Sequence, residues 1–144
     1  MNLRELLAGL GEFLQLGELL PNEQGVCELV FDDQLEVRLH ALDDSRVLLE
    51  AVLGEPPAED HLAEDFFKRL LQRNLLHVQE GRESLSLHET SGEVILHRVL
   101  FLERLTAAQA AAALEHFLNT LESWSVFEDA PIQPTFPANH IIMP

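Results

Sequence analysis

Cys27 is the single cysteine of the chain and the first residue to test for chemistry. A reactive thiolate needs a base, a cation or a helix N-terminus beside it to lower its pKa. Cys27 stands instead between Val26 and Glu28-Leu29 in an apolar, strand-like run, where a free thiol behaves as a small buried hydrophobe. One cysteine also excludes an intrachain disulfide and a cysteine metal cluster within the chain. The 7 histidines are scattered. His88 and His97 fall diagonally across a hairpin if Ser91-Gly92 forms its turn, close enough to share a metal. No third ligand follows at a fitting spacing and no His-Glu-x-x-His helix exists, so we read them as partly exposed sheet residues. The carboxylates Asp32-Asp33, Asp43-Asp44 and Glu64-Asp65 lack the order of a calcium loop and fit solvated turns and helix starts. Gly9-Leu10-Gly11 lies inside a helical pattern rather than between a strand and a helix, so it is no phosphate loop. The expectation is no catalytic residue, no metal and no cofactor. A small hydrolase or metal-binding protein would require the histidines and carboxylates to cluster in the fold.

Composition bounds the partners and the compartment. The 144 residues contain 9 Lys and Arg against 25 Asp and Glu, a formal net charge of -16. Such a charge repels phosphate backbones and anionic membrane surfaces, so nucleic acid and membrane insertion are not expected. With 47% hydrophobic residues the chain can build a core, yet its apolar runs fall short of the roughly 20 residues that span a bilayer. Met-Asn-Leu-Arg-Glu-Leu-Leu alternates charged and apolar residues, unlike a secretory signal, which leads us to expect a cytoplasmic protein.

The elements that must hold these residues follow from spacing. Leu3, Leu6, Leu7, Leu10, Phe13 and Leu14 recur at three and four residues, one stripe of a helix capped by Asn2 and ending near Leu16. Val26 to Leu53 reads as three strands parted by acidic turns, and Leu35, Val37 and Leu39 alternate with Glu36, Arg38 and His40. Gly54-Glu55-Pro56-Pro57 ends this meander. Residues 59–76 return to helical spacing, with an apolar arc wider than one contact needs. Ser84 to His88 and Val94 to Leu102 form a second hairpin, with Leu85 and Leu87 on one face. Thr106 and Gln109 match a capping box opening a last helix that runs to Trp124. The order is α-β-β-β-α-β-β-α, an α+β class with helices on an antiparallel sheet in two layers. We expect one domain over residues 1–128 and an extended or flexible tail over 129–144, whose Ile132, Phe136, Ile141 and Ile142 either stay free or fold back onto an apolar groove.

From Leu3 to Trp124 the ordered motifs resemble the class I chaperones of bacterial type III secretion, the CesT/SycE-like family. The resemblance rests on Leu85-x-Leu87-x-Glu89-Thr90-x-Gly92-x-Val94-x-Leu96 with Leu105, Phe117 and Trp124. Cys27-Glu28-Leu29 with Asp32, Leu53-Gly54, and Leu70-Leu71 with Asn74 add to it. The resemblance implies a non-enzymatic homodimer that holds a secreted effector in extended form, stable and ready for export. The runner-up within the resemblance is a regulatory protein that exchanges secreted and antiactivator partners to control transcription. The middle helix, through Leu62, Phe66, Phe67, Leu70, Leu71, Arg73 and Asn74, is then the expected dimer interface. Leu6, Leu10, Phe13, Leu29, Phe31, Val37 and Leu39 are candidates for cargo contacts, and only burial tells which of these belong to the core.

Overall fold

The structure is a computed structural model that describes residues 1–80 and 82–124; the expected tail over 129–144 lies outside the described residues. Three helices and five strands alternate as foreseen: α1 (Leu3–Phe13), β1 (Val26–Phe31), β2 (Leu35–Ala41), β3 (Arg46–Gly54), α2 (Asp60–Gln79), β4 (Ser84–Leu87), β5 (Val94–Phe101) and α3 (Ala107–Trp124), with a 3-10 turn at Leu102–Arg104. The fold is α+β, and the strands form one antiparallel sheet in the order β1-β2-β3-β5-β4. Edges β1 and β4 therefore each have a single neighbour.

Local chemistry sets the boundaries. Asn2 Oδ1 accepts the Glu5 N–H at 2.9 Å while Glu5 Oε1 accepts the Asn2 N–H at 3.3 Å, a reciprocal cap that starts α1. The helix stops at Phe13, short of the expected Leu16, because Gln15 adopts a positive φ of 57°. That turn sends the Leu16 N–H back to the Gly11 carbonyl and the Gln15 N–H to Glu12, the two bonds of a Schellman ending. Thr106 and Gln109 exchange the expected cap bonds at 3.0 and 3.1 Å and open α3. Asp32 and Asp33 both take positive φ in the β1–β2 turn, a conformation that short Asp side chains tolerate. Asp43 Oδ1 accepts the Ser45 N–H at 2.9 Å, and its Oδ2 accepts Arg46 Nε at 2.7 Å. The Ser45 bond first, then the guanidinium, hold its carboxyl below the usual range.

The described residues group into two compact units, one of Met1–Glu50 with Arg98–Leu118, the other drawn from Ala51–His97 with residues 119–124. In the first, α1 buries Leu6, Leu7 and Leu10, β1 buries Cys27 and Leu29, β2 buries Val37 and Leu39, and α3 buries Ala110, Ala111, Leu114 and Phe117. Each fully covered leucine contributes roughly 2 kcal/mol. Gly9 lets α3 come close, since a Cβ there would stand 3.1 Å from Ala107 Cβ.

In the second unit, Phe66 and Leu70 of α2, Leu85 of β4, Val94 and Leu96 of β5, and Leu121 and Trp124 are buried. Asn74 Oδ1 accepts the Leu85 N–H at 2.7 Å and ties α2 to β4. The carboxylate of Glu83 is wholly buried. It accepts from Thr120 Oγ1 at 2.6 Å, and that oxygen in turn accepts from Arg82 Nη2 at 2.7 Å. A buried charge is tolerable only with such partners. Leu87, expected on the face of Leu85, is exposed at the strand end.

Candidate protein-binding surfaces

Chemistry-bearing residues are held apart. The β4–β5 register pairs Ser84 with His97 and Leu87 with Val94, so His97 sits at the far end of the hairpin from His88. The expected diagonal contact is thus corrected: His88 turns its Nδ1 to the N–H groups of Thr90 and Ser91, both at 3.2 Å. Among the described residues no three of His, Cys, Asp and Glu are placed to hold a metal. Cys27 is buried, and desolvation followed by the charge of Glu28 raises its thiol pKa. No helix among the described residues is long and apolar enough to cross a membrane.

What remains is surface. Asn22 sits against the outer edge of β1: its N–H donates to the Val26 carbonyl at 2.8 Å and its Oδ1 accepts the Val26 N–H at 3.1 Å. Backbone groups alternate sides along an antiparallel strand, so Glu28 and Val30 turn their N–H and C=O to that same open edge. Val30 is 61% exposed, and in the same unit Phe13, Leu16 and Leu20 are exposed as well. Residues 17–20 return along α1, and with Arg4, Ala8, Gly11 and Glu12 they line a cleft of about 440 Å³. Gly11 makes this possible, because a Cβ there would collide with the Gly17 carbonyl oxygen.

The cargo candidates separate by burial. Leu6, Leu10, Leu29, Val37 and Leu39 are closed off inside the protomer, a correction whose cause is register: Cys27 faces Leu39 and Leu29 faces Val37, all on the covered side. Phe13 is exposed and Phe31 half-buried. Val30, Leu16 and Leu20 were missed; the alternation that buries Leu29 was the available sign that Val30 points out.

The candidates on α2 separate likewise. Phe66 and Leu70 are buried in the protomer, and Asn74 is engaged by β4, so these three serve the chain's own fold rather than an outer face. Phe67 is half-buried with its ring 5.5 Å from that of Phe66, and Leu62 is half-buried. Arg73 is exposed, its guanidinium 5.6 Å from the centre of the Trp124 ring. Leu71 is 65% exposed and Leu75 59%, with Leu76 and Val78 more than half exposed. Phe67, Leu71, Leu75 and Val78 follow at four, four and three residues, which makes an uncovered apolar stripe.

The Tir chaperone protein (CesT) family matches residues 5–125, and the chain belongs to that family. A chain of the HopA1–SchA chaperone–effector complex superposes with a TM-score of 0.72 at 19% identity, covering 85% of this chain and 92% of that one. A chain of the ExsC–ExsE complex gives 0.68 at 28% identity, covering 88% and 96%. A chain of the ExoT–SpcS complex from Pseudomonas aeruginosa gives 0.61 at 21% identity, covering 83% and 93%. No curated protein matches the sequence.

Proposed function

We propose that this chain is a type III secretion chaperone of the bacterial cytoplasm, acting without catalysis. It joins a second copy through the α2 stripe and holds a segment of a secreted effector in extended form. The open edge of β1 carries this reading. An incoming strand bonds the outward N–H and C=O of Glu28 and Val30, and its apolar side chains settle on Val30, Phe13, Leu16 and Leu20. Bound in this way, the segment is kept from folding before export. Membership of the chaperone family and the chaperone–effector complexes among the similar folds support the reading.

The test uses proline. Val30→Pro removes an outward N–H and no bond to β2, so the fold should tolerate it as edge strands do. Effector pulled down from the native bacterium should be lost, with affinity falling roughly tenfold or more for one blocked backbone bond and a disturbed apolar contact. Wild-type affinity in a folded Val30→Pro chain would remove β1 from the site. A partner that proves to be a transcriptional regulator rather than an exported protein would move the chain to the regulatory alternative.

A further inference from the structure

The open stretch of β1 is short. Asn22 already occupies the outward N–H and C=O of Val26, and beyond Phe31 the chain turns through Asp32 and Asp33 at positive φ. Within β1 that leaves Glu28 and Val30 to pair an added strand. Backbone bonds are the same for every sequence, so selection among segments falls to side chains. The register shows which side chains those are. Glu28 faces Arg38 across β1 and β2, and Arg38 faces Glu50 across β2 and β3, a row of negative, positive and negative charge on the face opposite the buried Leu29, Val37 and Leu49. Arg38 Nη2 meets Glu50 Oε1 at 2.9 Å. Glu28 is exposed and has no ion-pair partner among the described residues. Val30, two positions on, presents an apolar side chain on the same exposed face.

We propose that Glu28 selects the segment bound at β1: the incoming strand carries a Lys or Arg opposite Glu28 and an apolar residue two positions away, opposite Val30. The basic residue extends the charge row of Glu28, Arg38 and Glu50 onto a fourth strand. Opposite charges directly across a strand pair attract and like charges repel, so a segment with Asp or Glu at that position is rejected. With 25 Asp and Glu against 9 Lys and Arg, the chain attracts cationic segments from a distance. That field acts on a basic residue anywhere in the segment, whereas Glu28 fixes one position. The selection rests on the proposed strand addition at β1.

Phage-displayed random peptides of strand length, selected on the full-length chain, provide the test. Wild type should enrich peptides with Lys or Arg two positions from Val, Ile, Leu or Phe. Glu28→Lys should enrich Asp or Glu at that same spacing, and Glu28→Gln should enrich neither charge there. In fluorescence anisotropy, a peptide selected on wild type should bind Glu28→Lys about tenfold more weakly, the sum of an attraction lost and a repulsion gained. The same peptide with its basic residue replaced by Glu should prefer Glu28→Lys to wild type. If the same basic peptides emerge from all three chains, the preference belongs to the net charge and the proposal falls. Val30→Pro separates that failure from one in the reading beneath it. Loss of binding to Val30→Pro, with an unaltered preference on Glu28→Lys, leaves the edge strand standing and removes only the rule at Glu28. Wild-type binding by Val30→Pro, or no peptide enriched on wild type, removes both.

Discussion

α1 and α2 are both rich in leucine and phenylalanine, and they differ in what covers them. On α1 the apolar side chains Leu3, Leu6, Leu7, Leu10 and Phe13 fall within about 120° of arc; Leu6, Leu7 and Leu10 are sealed, and Phe13 at the helix end is exposed. On α2 the apolar residues spread over about two thirds of the circumference. Phe66 and Leu70 are sealed while Leu71, Leu75, Leu76 and Val78 stay open. A protomer covers roughly one arc of a helix, so the surplus on α2 stays uncovered, and it is there that the proposed second copy would join. Periodicity alone reports that a face is apolar and leaves its cover unstated.

Truncating one leucine on each helix tests this contrast most strongly. Leu10→Ala should cost about 3 kcal/mol of unfolding free energy, as a core cavity does. Leu75→Ala should cost at most about 0.5 kcal/mol when measured in dilute, monomeric protein. Urea unfolding of both variants checks the pair, and equal costs would erase the distinction. Next in size, Leu71→Glu places a charge on the stripe and should weaken the dimer by about 2 kcal/mol, some thirtyfold, without moving the denaturation midpoint of the monomer. Sedimentation should shift from twice the 16.2 kDa chain mass towards one chain. A third pair sharpens the α1 side. Gly11→Ala meets the Gly17 carbonyl and should lose about 1 kcal/mol after the helix propensity of alanine is counted. Gly9→Ala would bring its Cβ to 3.1 Å from Ala107 Cβ, a milder approach that a shift of a few tenths of an ångström relieves, and should cost less than Gly11→Ala by the same assay.

The element order and the caps at Asn2 and Thr106 were legible because periodicity and capping are written in neighbouring residues. The α1 end was misjudged by three residues because Gln15, not a glycine, takes the left-handed turn. Cargo candidates such as Val37 and Leu39 belong to the core because strand register, a long-range property, decides which face is covered. The open edge at Val30 and the Glu83–Thr120–Arg82 relay depend on segments far apart in sequence, and no local pattern announces them. The breadth of the apolar arc on α2, by contrast, was legible in the spacing of that helix alone.

The smallest effect concerns His77, a buried polar side chain of a kind α1 lacks. Burial first, and then the charge of Arg82, push its pKa below the ordinary value, while Glu83 opposes them. The fold thus prefers neutral imidazole. Stability is complete above the unfolded value, about 6.5. It is lost as pH falls through that value, because the unfolded chain takes up a proton that the folded chain resists. The loss stops growing once pH passes below the depressed folded pKa. The slope cannot exceed about 1.4 kcal/mol per pH unit for one proton. His77→Gln should therefore be less stable near pH 7 yet lose less than wild type between about pH 7 and 5, as read by urea unfolding at each pH. If wild type and variant fell in parallel, the acid sensitivity would belong to the carboxylates, and α2 would differ from α1 only in the leucines it leaves uncovered.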